Sequence, residues 1–346
     1  MYELGRLARG GVLLTVRAYE AGWTRGRLRG RLRREGWQPI CRGAWAAPGK
    51  EVDWKGRARI VQSLRPDLVC SHGTAAALHR IEHLGASGGP GASGGPDGSV
   101  ESAGSTGSTG STGSEPLELL EFTTRRKGAG GITGRAGFRG RVRVRVRVHS
   151  TSFLTEADSS VRAGLRVTTP ARTVGDLMRR GTREEAVVTA DSALARRTVQ
   201  GIRRAPLVRR EQLDAELAPR RPGAARARAW LSLTDPASGS PAETIARLRM
   251  HDAGLHPESQ PLLHSRSGRT LRPDFLFRAA GLAVEIEGYA FHGSRQAHER
   301  DIDRFNALTD CREVRRVLRF TAREVFRHPD RMIATIRGAL ERDWGG

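Results

Sequence analysis

Lysine, cysteine and aromatic residues are scarce in this chain of 346 residues, and each scarcity narrows the classes of protein that fit. The three cysteines, Cys41, Cys70 and Cys311, are odd in number and far apart. They therefore fit neither a disulfide framework nor a CxxC metal site, and a reducing, cytoplasmic location is expected. Aromatic residues make up only 5% of the chain, which indicates modest cores built from leucine, valine and alanine.

Long hydrophobic runs are also missing. No apolar segment approaches the roughly 18 residues that a transmembrane helix needs. The N-terminal stretch MYELGRLARGGVLLTV has neither a long apolar region nor a cleavage site of small residues, so no signal peptide is predicted. A membrane is therefore not an expected partner. The length predicts two or three domains.

Positive charge is what the chain has in excess. Its 59 basic residues against 37 acidic ones give a formal net charge of +22. The only lysines are Lys50, Lys55 and Lys127, and this bias toward arginine indicates a GC-rich coding sequence as well as selection for charge. Codon bias does not by itself explain the excess of bases over acids. A polyanion, and DNA in particular, is therefore the expected partner.

Residues 1–55 predict a small DNA-binding domain. Two helices, TVRAYEAGW and TRGRLRGRLRREGW, precede the strand-like WQPICRGAWAAPG, which is the layout of a winged helix-turn-helix. The second of these helices carries a stripe of arginines that we expect to meet DNA. An ordinary solvated helix face is the alternative for this stripe, which consists of Arg25, Arg27, Arg29, Arg31, Arg33 and Arg34.

Residues 56–235 predict a mixed α/β middle domain with an insertion. The Gly- and Ser-rich stretch 85–114, which repeats GST, predicts a disordered segment within that domain. In RVRVRVRVH, residues 141–149, arginine and valine alternate strictly, which predicts a strand with one buried face. Its arginines either contact nucleic acid or protect the edge of a sheet.

Residues 236–346 predict a third domain with the element order α-β-β-α-β-α, so the fold class as a whole is mixed α+β. Its first helix begins with Ser240 as N-cap and Pro241 in the first turn. The segment LRPDFLFRAAGLAVEIEGYAF predicts two strands joined by RAAG. Period-2 geometry puts Glu285 and Glu287 on one face, and Asp274 can lie across from them.

This C-terminal arrangement resembles the PD-(D/E)xK nuclease fold, and more closely the nuclease-like family related to very-short-patch-repair endonucleases. The blocks that carry the resemblance are SPAE, PDF, VEIEGYAFH, ERDIDRFNAL and RRVLRFT, over about 100 residues. The segment GWTRGRLRGRLRREGWQPICRGAWAAPG is similar to the winged-helix domain of AbiEi-type antitoxins. The resemblance implies a restriction-endonuclease-like domain that cuts DNA behind a winged helix.

The chemistry of phosphodiester cleavage agrees with that implication. A divalent cation can supply the nucleophilic water, neutralise the phosphate and help the leaving oxygen. Mg²⁺ prefers oxygen ligands, so Asp274 and Glu285 are the expected ligands of Mg²⁺ or Mn²⁺, with the carbonyl of Ile286 as a further one. Arg300 and Arg304 lie on one helix face and are expected to hold phosphate. Arg319 points either into the site or to solvent.

The resemblance assigns further residues, and one of them departs from the pattern. Glu243 matches the acid of the family's SPxE start, and His292 lies where the repair endonucleases carry a histidine that aids catalysis. The usual lysine, two residues after the acid, is Glu287, and no lysine follows Lys127. Glu287 therefore either binds a second metal or serves as the base.

Two functions follow from these patterns. The first is a metal-dependent DNA endonuclease, in repair, phage defence or mobile-element biology. The alternative is a non-catalytic, antitoxin-like DNA-binding regulator with a degenerate nuclease fold, for which a toxin is a further expected partner.

Overall fold

A computed structural model describes residues 3–84, 117–126, 143–287 and 295–342. The predicted disordered insertion, residues 85–114, lies outside this described part. The chain is a mixed α/β protein with several sheets, and its contacts divide it into two compact units. Unit 1 contains the described residues of Met1–Arg80 and Glu101–Asp176. Unit 2 contains Ile81–Leu84 and the described residues of Leu177–Gly346. The expected division into three domains stays a prediction.

The first 50 residues of unit 1 form helices over one antiparallel sheet of order β1-β3-β2. Gly22, at a φ of +85°, separates the second helix from the third, and Thr24 is the N-cap residue of the third. The elements are α1 (Leu4–Leu7), β1 (Val12–Leu14), α2 (Thr15–Glu20), α3 (Arg25–Arg34), β2 (Gln38–Cys41) and β3 (Ala44–Ala46).

Helix α3 has one buried side and one charged side. Leu28 and Leu32, one turn apart, are buried in a cluster with Leu13 and Trp37. The six arginines of the stripe are all exposed. The spacing of Leu28 and Leu32 thus determines which face of α3 packs against the core, and the arginines lie on the exposed face.

The rest of unit 1 is built on a five-stranded sheet of order β6-β5-β4-β8-β7. Val144, Val146 and Val148 of β6 are buried, whereas Arg145 and Arg147 are exposed, as the alternation predicted. Strand β6 lies at the edge of this described sheet. The elements are α4 (Trp54–Leu64), β4 (Val69–Cys70), α5 (His72–His79), β5 (Leu117–Thr124), β6 (Arg143–Ser150), β7 (Ser159–Arg162) and β8 (Leu165–Thr168). Helix α6 (Pro170–Arg180) begins in unit 1 and continues past Asp176 into unit 2.

Unit 2 begins with helices and a small hairpin. Its first full helix starts with a capping box, in which Thr182 and Glu185 satisfy each other's backbone amides. The elements are α7 (Arg183–Leu194), β9 (Arg197–Val199), β10 (Ile202–Arg204), α8 (Arg210–Leu217) and α9 (Ala224–Leu231).

The remainder of unit 2 is a four-stranded sheet, β11-β14-β15-β16, with helices against it. Strands β14 and β15 are antiparallel and joined by a 3-10 turn, and β15 and β16 are parallel. The elements are α10 (Pro241–Asp252), β11 (Glu258–Ser259), β12 (Leu263–His264), β13 (Thr270–Leu271), β14 (Phe275–Phe277), β15 (Leu282–Glu287), α11 (Arg295–Thr309), β16 (Arg316–Thr321), α12 (Ala322–Arg327) and α13 (Pro329–Arg342).

The central strand β15 has an apolar start and a charged end. Leu282, Val284 and Ile286 face one buried cluster, and Ala283 faces another. Glu285 and Glu287 continue the Ala283 face toward the end of the strand, where burial decreases. Strand β11, the hairpin β12–β13 and helix α12 were not among the expected elements of this part of the chain, and the restriction-endonuclease-like architecture stays a prediction. In the described ranges, no helix has the length and apolarity to cross a membrane.

Substitutions on the buried face and on the exposed face of α3 should change the free energy of unfolding by different amounts. Leu28→Ala should lower the free energy of unfolding by about 2–5 kcal/mol because it leaves a cavity in a fully buried cluster. The neighbouring Arg29→Ala should change it by less than about 0.5 kcal/mol. Urea denaturation followed by tryptophan fluorescence measures both. Equal losses from the two variants would contradict the assignment of the faces.

Candidate functional site

Glu243 is held at the start of α10 by the helix cap. Ser240 accepts a hydrogen bond from the backbone N–H of Glu243 at 3.1 Å, and Pro241 occupies the first turn. The side chain of Glu243 folds back and accepts from the backbone N–H of Gly239 at 2.7 Å. It is only 8% exposed. The cap therefore aims a carboxylate toward the sheet.

A buried ion pair fixes the loop that leads into α10. The Asp191 carboxylate accepts from Arg247 at 2.9 Å, from the Thr244 hydroxyl at 2.9 Å and from the backbone N–H of Asp235 at 2.7 Å. Burial raises the pKa of Asp191 to about 6, although Arg247 opposes the shift. Every acceptor oxygen has a partner, so this network anchors the loop and the helix start that carries Glu243.

Asp274 lies immediately before β14 and reaches across to β15. One of its carboxylate oxygens accepts from the backbone N–H of Ile286 at 2.7 Å. The other accepts from the Gln260 side-chain amide at 2.8 Å. Asp274 is thereby fixed against the two strands that the sequence predicted as a hairpin.

Gln260 connects two of the acids. Its side-chain nitrogen donates to Glu243 at 3.1 Å as well as to Asp274, and its own backbone N–H donates to the Asp274 carbonyl at 2.9 Å. It has a φ of +48°, a region that non-glycine residues seldom occupy. Sequence reasoning missed Gln260, because a glutamine in a loop carries no spacing signal and only tertiary contacts give it this position.

Glu285 is paired with an arginine from α11. Arg304 donates to both of its carboxylate oxygens, at 3.0 and 3.1 Å, and also to the Arg272 carbonyl at 2.8 Å. The side chain of Glu285 is 17% exposed and that of Arg304 is 39% exposed. The pair therefore sits where the site opens to solvent.

Glu287 pairs with a different cation. Arg319 lies on β16, in register with Glu285, and its Nε is 2.5 Å from the carboxylate of Glu287. The Arg319 guanidinium also lies 5.6 Å from the centre of the Phe305 ring. Two acids of β15 thus have two arginine partners that come from two different elements.

The electrostatics single out Asp274. Burial raises its pKa to about 8, and the neighbouring charges of Glu243 and Glu285 add to the shift. The Ile286 amide and Arg304 oppose it. Burial also raises the pKa of Glu285, against the opposing charge of Arg304. The carboxyl groups of Glu243, Asp274 and Glu285 interact with one another and are partly buried. Their charges repel, and a proton or a cation between them removes that repulsion.

Oxygen ligands of this kind suit Mg²⁺ or Mn²⁺. Among the described residues, however, no three His, Cys, Asp or Glu side chains are grouped as a metal site. Arg304 engages both oxygens of Glu285, and the Gln260 amide bonds to both of the other two acids. The donor set therefore fits a cation in its chemistry, and Arg304 occupies one of the expected ligands.

The other predicted site residues are distributed as follows. The stripe on α3 belongs to unit 1, and within it Arg31 forms an ion pair with Glu35. The Ile286 amide contacts Asp274. His292 lies outside the described residues, and so does the side chain of Arg300, although its backbone is part of α11.

Comparisons with known proteins give little guidance. No family model matches the chain, and no curated protein matches it. Among solved structures, the RV2827C protein from Mycobacterium tuberculosis is 18% identical, with 75% of this chain and 82% of that chain covered and a TM-score of 0.36. A TM-score this low carries no conclusion about fold or function.

The raised pKa of Asp274 predicts a pH dependence of stability without divalent metal. The folded protein keeps this proton up to about pH 8, whereas the unfolded chain loses it near pH 4. The free energy of unfolding should therefore fall as the pH rises from 4 to 8, by up to about 1.4 kcal/mol per pH unit. Asp274→Asn should remove this contribution.

Urea denaturation at several pH values, in EDTA, measures this pH dependence of the free energy of unfolding. The control is Asp303→Asn, which changes an exposed carboxylate on α11. A slope that is the same in wild type and Asp274→Asn would show that Asp274 is not protonated in the folded state.

Proposed function

We propose that the C-terminal part of this chain is a metal-dependent endonuclease that hydrolyses phosphodiester bonds in DNA, on a restriction-endonuclease-like α-β-β-α-β-α domain. The observation that carries the proposal is the convergence of Glu243, Asp274 and Glu285 at the end of the central strands. The hydrogen bonds that Gln260 donates to Glu243 and Asp274, together with the raised pKa of Asp274, support a site built for a cation.

Asp274 and Glu285 would hold Mg²⁺ or Mn²⁺, and the carbonyl of Ile286 is a further candidate. The bound cation would activate water and neutralise charge on the phosphate. Glu243 and Gln260 would orient Asp274, because Gln260 bonds to both carboxylates. The Asp274 proton, retained near neutral pH, would leave on metal binding.

Arginines would supply the positive charge that a lysine provides in the resembled family. Arg304 and Arg319 flank the acids, and each is partly exposed toward the opening. When a cation takes Glu285, the Arg304 guanidinium is free to bind a phosphate oxygen, for which its planar fork is suited. Glu287 holds Arg319 beside the site.

The fold of unit 1 supports a role for this unit in binding the DNA that the C-terminal part would cut. Its order of helix, strand, helix, helix, strand, strand, with β1, β3 and β2 in one antiparallel sheet, supports the proposed winged helix-turn-helix. The stripe of α3 is exposed over its whole length. In this proposal α3 contacts the duplex and the C-terminal carboxylates cut it.

A plasmid assay tests the enzyme. Purified protein with supercoiled and linear DNA should nick in Mg²⁺ or Mn²⁺ but not in EDTA. Asp274→Asn and Glu285→Gln should each lower the nicking rate by at least about 100-fold, because charge stabilisation by a metal is worth several kcal/mol. Asp303→Asn should nick as the wild type does.

The metal can be followed separately. Mg²⁺ or Mn²⁺ should raise the melting temperature of the wild type and not that of Glu285→Gln. Nicking in EDTA, or nicking that survives both substitutions, would place the activity elsewhere. The variant Glu287→Ala distinguishes the possible roles of Glu287. It should abolish nicking if Glu287 is a base or a second metal ligand, and it should weaken DNA affinity if Glu287 only holds Arg319.

The alternative is a DNA-binding regulator that does not cut, similar to AbiEi-type antitoxins and with a toxin as partner. Two observations favour it. Arg304 occupies both oxygens of Glu285, and an acid stands where the lysine of the resembled family would be. Under this alternative Glu285 and Glu287 are paired with Arg304 and Arg319 for stability, and α3 carries the function.

Both functions predict DNA binding that depends strongly on salt. Arg27→Ala/Arg29→Ala should weaken binding and reduce the slope of log Kd against log salt by about 0.9 for each lost phosphate contact. Fluorescence anisotropy with a labelled duplex measures the slope. The control Arg220→Ala/Arg266→Ala removes two exposed arginines of unit 2. Equal effects from the two variants would mean that binding follows net charge and not α3.

A further inference from the structure

Unit 1 contains a cleft that the proposed nuclease does not use. Its volume is about 810 Å³, within the range of roughly 300–1,000 Å³ that is typical of small-molecule sites. The walls come from the start of β1, from α2, from residues 50–53, from α4 and from the turn between β7 and β8. Every wall belongs to unit 1.

The cleft lies on the opposite side of β1 from α3. Leu13 packs with Leu28 of α3, whereas Leu14, its neighbour in the strand, packs with Ile60 of α4. Successive side chains of a strand point to opposite faces. Leu14 and Ile60 line the cleft, so a duplex held by α3 leaves it free.

Four cations line the cleft: Arg9, Arg17, Lys50 and Arg59. Arg59 donates to the Ala163 carbonyl at 3.3 Å, which holds it at the β7–β8 turn. In the part of the chain that the structure describes, no hydrogen bond or ion pair engages the side chains of the other three. Cations gathered in a concave site without partners are suited to phosphate groups.

The remaining lining distinguishes a nucleotide from a DNA backbone. Glu51 and Asp53 line the same cleft and would repel a polyanion that ran along it. Asp53 already caps α4 by accepting from the Gly56 amide at 2.7 Å, so Glu51 is the carboxylate that can accept hydrogen bonds from sugar hydroxyls or base amino groups. Val12 and Val52, which are half-buried, add apolar surface for a base. We infer that this cleft binds a nucleoside phosphate, with its phosphates on the unpaired cations.

ATP is the probe that tests this inference, by isothermal titration calorimetry on the full chain in EDTA, where no metal reaches unit 2. Arg9→Ala/Lys50→Ala removes two exposed cations and should weaken ATP binding at least tenfold. Ser63→Trp, at an exposed position of α4 that lines the cleft, should block it without a change of charge. Circular dichroism checks that both variants fold.

The matched control is Arg27→Ala/Arg29→Ala, which removes two exposed charges from α3 and should leave ATP affinity within twofold of wild type. Adenosine and tripolyphosphate should each bind at least tenfold more weakly than ATP, because each fills only part of the cleft. ATP affinity that falls equally in cleft and α3 variants would overturn the proposal. Tripolyphosphate that binds as tightly as ATP would overturn the nucleoside assignment.

Duplex DNA provides the last comparison. A 20-base-pair duplex should bind Arg9→Ala/Lys50→Ala as it binds the wild type, and it should not displace ATP. If the duplex competes with ATP and loses affinity in that variant, the cleft is part of the DNA interface and the proposal is wrong.

Discussion

The carboxyl group of Asp274 is buried against two other acids, and the elements around it are arranged to tolerate that. Its oxygens accept from the Ile286 amide of the neighbouring strand and from Gln260, which also holds Glu243. Burial and the two neighbouring charges raise its pKa to about 8. Ionisation of such a group would cost stability, and the raised pKa means that the folded protein avoids this cost near neutral pH by retaining the proton.

The contacts of Glu243 and Glu285, the two acids beside Asp274, differ in how far they are buried. The loop before α10 is anchored in the interior by the ion pair of Asp191 and Arg247, and the Glu243 carboxylate is held by Gly239 and Gln260. Arg304 is more exposed and is bonded to both oxygens of Glu285, and the charge of Arg319 also acts on that carboxylate. The acids are thus fixed on the inner side of the site, and the cations lie on the side that opens to solvent.

In unit 1 a single strand separates two basic surfaces. Leu13 of β1 packs toward α3 and its exposed arginines, and Leu14 packs toward α4 and the cleft. The surfaces differ in shape and in composition, since α3 is convex and wholly basic whereas the cleft is concave and also carries Glu51 and Asp53. A net charge of +22 alone would not reveal that the basic residues form distinct surfaces.

The sequence by itself determined much of the local structure. Period-2 alternation placed Val144, Val146 and Val148 inside and predicted Glu285 and Glu287 on one face, and the cap residues Ser240 and Pro241 located the start of α10. Such signals lie between near neighbours, so they can be read along the chain. The helix α12 and the hairpin β12–β13 were not predicted, because two-residue strands and a single capped turn leave almost no periodic pattern.

Only the tertiary structure decided which side chains contact the acids of the candidate site. Gln260 between Glu243 and Asp274, Arg304 on Glu285 and Arg319 on Glu287 join residues of different elements, and no spacing in the sequence encodes those contacts. The fold also made Asp274 the strongly perturbed acid, although Glu285 and Glu287 have the clearer pattern. A pKa depends on burial and on every charge nearby, and both are set when distant segments pack together.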